Sequence, residues 1–148
     1  MTDKTYQFED MQMMLPIPAG MNRADVVTAW IANQHAVMNS DDHERTFWAF
    51  GLIHDLCDER PEAAWELIKL ILKQDCSSNI MQNLSAGPLE DLLAKHGAEY
   101  IDKVEAQAKD DPQFANLLGG VWQNAMTDAV WNRVLKARDR RGWDGNPE

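Results

Sequence analysis

From about residue 21 to residue 135, apolar side chains return every three or four positions, and no stretch alternates apolar with polar. That rhythm is the strongest constraint on what this chain can become, because a period near 3.6 residues puts one stripe on a helix, whereas a half-buried strand needs a period of two. Val27, Trp30, Ile31, Gln34 and Met38 follow it, predicting an amphipathic helix that ends near Asn39-Ser40. Asp41 or Asp42 is placed to cap the next, which carries Phe47, Trp48, Leu52, Ile53, Leu56 and Cys57 inward and runs to about Arg60. Pro61 restarts the chain at a first helical position, and the residues from Ala64 to Leu72 are apolar almost all the way round, as expected of a central helix.

A short helix is predicted over 77–84. The run Ala86 to Gly97 then reads as a complete helix with its own start and stop. Pro88 opens it, Glu90 and Asp91 face the positive end of the dipole, and Leu89, Leu92 and Leu93 form the stripe. Lys95 and His96 fill the last turn, and Gly97 takes the left-handed cap. Further helices are marked by Ile101, Val104 and Ala108, and by Phe114, Leu117, Leu118, Val121 and Trp122 after the Asp111-Pro112 cap. The last carries Val130, Trp131, Val134 and Leu135 behind Thr127. Gly119-Gly120 should shorten its helix and let another backbone come close. The expected fold is all-α: one domain of about seven to eight helices, arranged as a bundle or a short stack of antiparallel helix pairs.

The expected organisation is an extended arm over residues 1–20, a helical domain over 21–141 and a flexible tail over 142–148. Pro16, Pro18 and Gly20 keep a helix out of the arm. Its methionines, Met11, Met13 and Met14, leave open whether it packs on the domain or stays loose. The first residues lack the basic and apolar regions of a secretory signal, and no run of about 18 apolar residues occurs. Cys57 and Cys76 are 19 positions apart with no Cys-x-x-Cys or Cys/His pattern, so they read as two idle thiols in a reducing compartment. A cytoplasmic location follows.

A resemblance is carried by Trp65-Glu66-Leu67-Ile68, by Ala86-Gly87-Pro88-Leu89-Glu90-Asp91-Leu92-Leu93 with His96-Gly97, by Ile101 with Glu105, by Asp111-Pro112 with Phe114, and by Leu118-Gly119-Gly120-Val121-Trp122. Together these cover about residues 25–135, and the pattern resembles a family of small bacterial domains of unknown function, number 6869. The resemblance implies a bacterial, soluble, helical protein, and no reaction that could be carried onto any residue.

Charge narrows the function. The net charge is −10 and the sequence pI about 4.7, so attraction to a phosphate backbone is excluded as a general mode of binding. The acids are concentrated: eight fall between Asp41 and Glu66, against Arg45 and Arg60. The C-terminal end is the reverse, with Lys136, Arg138, Arg140 and Arg141 against Asp139. The preferred expectation is a non-enzymatic protein-binding module, of the inhibitor or immunity kind, that covers a basic protein partner. Asp41, Asp42, Glu44, Asp55, Asp58, Glu59 and Glu62 would form the partner-binding face, which would steer a basic surface into contact. No cofactor, nucleic acid or membrane is called for.

Two alternatives remain. His54 and Asp58 stand at i, i+4, a spacing two metal ligands can share, and with Glu44 or His43 they would make a metal-assisted hydrolase. A homo-oligomeric scaffold would instead use the methionine-rich arm or Trp143 as the contact. Glu90, Asp91 and His96 are accounted for by capping and dipole.

Overall fold

The computed structural model describes residues 21–143, and these are helical with no strand among them. The helices are α1 Arg23–His35, α2 Asp41–Glu59, α3 Pro61–Gln74, α4 Ser78–Leu84, α5 Glu90–Asp110, α6 Pro112–Leu118 and α7 Asp128–Ala137. A π-helical turn, Ser85–Leu89, joins α4 to α5 without a break. The described residues therefore hold six separate helical runs rather than seven to eight. The expected arm lies outside them, as do the last residues of the expected tail, 144–148. Contacts gather into two compact units, one up to Ile80 and one from Met81, so the division along the chain falls within α4.

The first unit is built on α1, α2 and α3, each packed on the other two. An Asn22 capping box opens α1: the Asn22 side chain accepts from the Asp25 amide, and Asp25 accepts from the Asn22 amide, both at 3.0 Å. Val26, Val27 and Trp30 are buried along it. The helix stops at His35, where Ala36 turns extended (φ −73°, ψ 150°), so Met38 lies outside it and is 70% exposed instead of buried. Ser40, not Asp41 or Asp42, caps α2, its hydroxyl accepting from the His43 amide at 3.2 Å. Proline stands at the start of α3 as expected, and Ala63, Ala64, Trp65, Leu67, Ile68, Ile71 and Leu72 are buried there.

The ends of α1 and α3 are tied together by side chains. His35 Nε2 lies 2.9 Å from Asp75 Oδ2, and the Asn79 amide donates to the Gln34 carbonyl at 2.9 Å. Hydrogen bonds from His35 and then Ser77 hold the Asp75 carboxyl below the usual carboxylate range. A depressed folded-state pKa contributes stability above the unfolded value, about pH 4, and that contribution is lost as pH falls through the folded value. Urea midpoints of the protein and of Asp75→Asn should accordingly differ by a constant amount above about pH 4 and converge below it. A gap that persists to the lowest pH would contradict the assignment.

In the second unit, α5 packs against α6 and α7. Its start is the main departure from expectation. Pro88 does not open a helix; it sits inside the π-turn, where its missing N–H leaves the ordinary i→i−4 bond unmade and the chain widens until the Glu90 amide reaches the Gly87 and Ser85 carbonyls. The Ser85 hydroxyl bonds back to the Met81 carbonyl at 2.9 Å, a contact that bends helices.

Nor does Gly97 stop the helix. The chain kinks at His96 (φ −134°, ψ 28°) and continues to Asp110. A Cβ on Gly97 would stand 3.0 Å from both Val130 methyls, so this glycine serves the close approach of α5 to α7. Asp111 and Thr127 cap α6 and α7 as predicted, with Thr127 Oγ1 accepting from the Val130 amide at 3.2 Å. On α7, Val130 and Val134 are buried while Leu135 is 38% exposed, not inward. Arg133 bridges α7 to α5, with Nε 2.8 Å from Glu105 Oε2 and Nη2 2.5 Å from Asp102 Oδ1. That arrangement lowers the Glu105 pKa and raises that of Arg133.

Candidate functional site

The outer face of α2 is the site best supported by the described residues. Ala49, Leu52, Ile53, Leu56 and Cys57 define its buried side. Each helical residue advances about 100°, so Phe47, two positions before Ala49, points nearly the opposite way. It is 49% exposed, and Phe50 is 40% exposed. The sequence expectation had put Phe47 inward beside Trp48. Consistent placement of the buried stripe on a helical wheel was the signal that could have corrected this.

These rings are ordered into a ladder along the helix. The His43 and Phe47 ring centres are 5.7 Å apart, Phe47 and Phe50 5.3 Å, and Phe50 and His54 6.4 Å. The last two pairs are stacked, with interplanar angles of 24° and 8°. Offset stacking joins Phe47, Phe50 and His54 into one exposed ridge, with the half-buried His43 ring tilted at its start. Val37 and Met38, in the connection just before α2, add further exposed apolar surface.

The predicted acidic residues divide around this ridge. Glu44, Asp55 and Asp58 recur at i, i+11 and i+14, which at about 100° per residue keeps them in one row. Gly51 falls in the same row, and a Cβ there would meet nothing within 4 Å, so the strip between Glu44 and Asp55 is open. Asp42 is engaged by Arg45 at 2.6 Å. Asp41 and Glu59 stand at the two ends of α2, further round from the ridge. Glu62 is in the first turn of α3 and half-buried. Glu44, three positions before Phe47, and Asp58, four after His54, are thus the two of the seven acids that adjoin the aromatic ridge.

The residues of the hydrolase alternative do not converge. Glu44, His54 and Asp58 all sit on α2, where 10 residues of helix separate the first two by about 15 Å. Among the described residues no group of three His, Cys, Asp or Glu side chains is placed to hold a metal ion. Cys57 is buried and Cys76 exposed, with no disulfide between them.

Trp143, expected as an exposed anchor, is packed in its own unit. Its Nε1 donates to the Asn116 carbonyl at 2.8 Å, and its ring lies against Gly120. Trp122, expected on an inward stripe, is 59% exposed because α6 ends at Leu118, and Arg140 lies over its ring at 5.9 Å. Glu90, expected to serve the helix dipole, is buried: it accepts from the Trp122 amide at 2.9 Å and from Asn124 Nδ2 at 2.7 Å. His96 pairs with Glu99 at 3.3 Å beside the kink.

The model of a family described as "Family of unknown function (DUF6869)" matches residues 36–142. No curated protein and no solved structure matches the chain. Among the described residues, no helix is long and apolar enough to cross a membrane.

Proposed function

The chain belongs to the DUF6869 family of unknown function, and from that premise we propose that it is a bacterial, cytoplasmic, non-enzymatic protein-binding module of the inhibitor or immunity kind. It covers a basic protein partner with the outer face of α2. The observation that carries this reading is the exposed ladder His43–Phe47–Phe50–His54 with carboxylates beside it. Ordered exposed aromatics supply contact area at low entropic cost, and aromatic residues dominate the centres of protein interfaces. The surrounding acids, Asp41, Asp42, Glu44, Asp55, Asp58, Glu59 and Glu62, steer a basic surface toward that centre and reject acidic competitors. The opposite side of the helix is occupied by core residues, so the two roles of α2 do not compete.

Immobilised full-length protein, exposed to extract of the native host, should retain a basic protein. Combined Asp55→Lys, Asp58→Lys, Glu59→Lys and Glu62→Lys substitution should reduce that retention at least about tenfold, equivalent to roughly 1.4 kcal/mol. Retention of every captured protein at the unsubstituted level would refute the proposal. Circular dichroism on both forms controls for folding.

A further inference from the structure

We propose that residues 11–19 of the chain seat as an extended strap in the groove between α1 and α3, with their apolar side inward. The groove lies within the first unit and encloses about 360 Å³. Arg23, Ala24 and Val27 of α1 line it on one side, and Leu70, Lys73 and Gln74 of α3 on the other. Seven apolar residues of α3 are buried, whereas Leu70 is 36% exposed in this groove. Arg23 is the first residue of α1, and its Nε lies 3.3 Å from Glu66 Oε1. Lys73 stands seven residues beyond Glu66 along α3, about 10 Å away.

The sequence ahead of α1 suits this groove in pattern, reach and charge. Met11, Met13, Leu15, Ile17 and Ala19 recur at every second residue, and an extended segment turns such residues to one side. Leu15 and Ile17 each precede a proline, which restricts both to extended backbone. The prolines bring no N–H that would need a partner strand. Since α1 begins on the groove, the segment arrives at one end of it, and Gly20 permits the reversal. The ten positions from Asp10 to Gly20 span about 33 Å when extended, ample for a run of about 10 Å. Glu9 and Asp10 come just ahead of the apolar run, and with it seated they reach Lys73. A second copy of the chain would need more surface, because a stable interface uses about 20–30 residues a side. The strap is tethered at an effective concentration of roughly millimolar, so a contact of this size holds it. Seated there, it covers Leu70 and clamps α1 to α3. The strap makes no use of the outer face of α2, and either proposal can fail without the other.

The test uses the full-length protein with Ile17 replaced by the photo-reactive residue benzoylphenylalanine. Irradiation should join position 17 to residues 23–27 or 70–74 of the same chain, read by mass spectrometry of the digested product. Mixing isotopically heavy and light protein separates joins within a chain from joins between chains. Leu70→Glu with Lys73→Glu, both at exposed positions, should reduce the groove product at least about fivefold. The probe at Leu15 should give the same product, and at Met14, on the opposite side of an extended segment, about threefold less. Joins to other parts of the chain, joins between chains, or a yield indifferent to the groove substitutions would overturn the proposal. Equal yields from Met14 and Leu15 would do the same, because a seated strap has one inward side. Circular dichroism identifies variants that remain folded, and Lys73→Glu alone replaces the pair if the pair unfolds.

Discussion

Gly119→Ala should destabilise the protein by about 3 kcal/mol, at the upper end of what overpacking ordinarily costs. The added methyl would overlap the Asp139 carbonyl oxygen and stand 2.8 Å from its carbon and 3.1 Å from the Asn116 carbonyl oxygen. These are backbone atoms, so no side-chain rotation can relieve the clash. Gly119 has ordinary right-handed helical angles (φ −62°, ψ −21°), and its value is therefore close approach rather than unusual dihedrals.

What approaches is the segment 139–143. The Asp139 amide donates to the Ala115 carbonyl at 2.9 Å, and Asn116 Nδ2 donates to the Asp139 and Arg141 carbonyls at 3.1 and 2.8 Å. Arg140 Nη1 donates to the Gly119 carbonyl at 2.9 Å. Moving the segment to admit a methyl would break this set. Urea unfolding followed by circular dichroism measures the effect, with Gly51→Ala as the contrast. That site, inside α2, has nothing within 4 Å, and alanine there should be neutral or stabilise by about 0.5–1 kcal/mol. Equal effects at both glycines would contradict the close approach.

Glu90→Ala should cost about 2.5 kcal/mol, and Glu90→Gln roughly half as much. The carboxylate accepts two hydrogen bonds from the loop after α6, and bonds to a charged group contribute about 1.5–3 kcal/mol each, only part of which survives solvent repair. Glutamine keeps one acceptor oxygen but turns an amide donor toward the other donor. If Glu90 served only the helix dipole, both substitutions would cost the same and no more than about 1 kcal/mol. Equilibrium unfolding separates these cases. Amide exchange at Trp122 adds a local reading, because its N–H loses its partner in the alanine variant.

Those two sites show how far the sequence could be read. Gly119-Gly120 was legible as a helix stop that admits a second backbone, because paired glycines both weaken a helix and remove side chains. Which backbone would come, and that Trp143 would travel with it, was not legible from a segment 20 residues away. Glu90 was misread for the opposite reason. An acid two residues past Gly-Pro fits a helix start, but Pro88 lies within a continuous helical run, so there are no exposed amide ends for the acid to serve.

On the candidate site, the acidic density of α2 was visible by simple counting, and its full extent as a helix by periodicity. Phe47 was not separated from the core and Phe50 was given no side, since aromatics on a helix are usually buried and only the packing of α1 and α3 shows which arc of α2 is already taken.

By itself the sequence determined the all-helical class, most helix boundaries and the acidic character of one helix. These depend on residue period, proline and cap placement, and charge, all of which act within a few positions along the chain. Tertiary structure decided the rest: the burial of Glu90, the docking of Trp143, the tight glycine contacts at Gly97 and Gly119, and the outward ladder on α2. Each of these is fixed by what lies against a residue in space, and such neighbours leave no local mark in the chain.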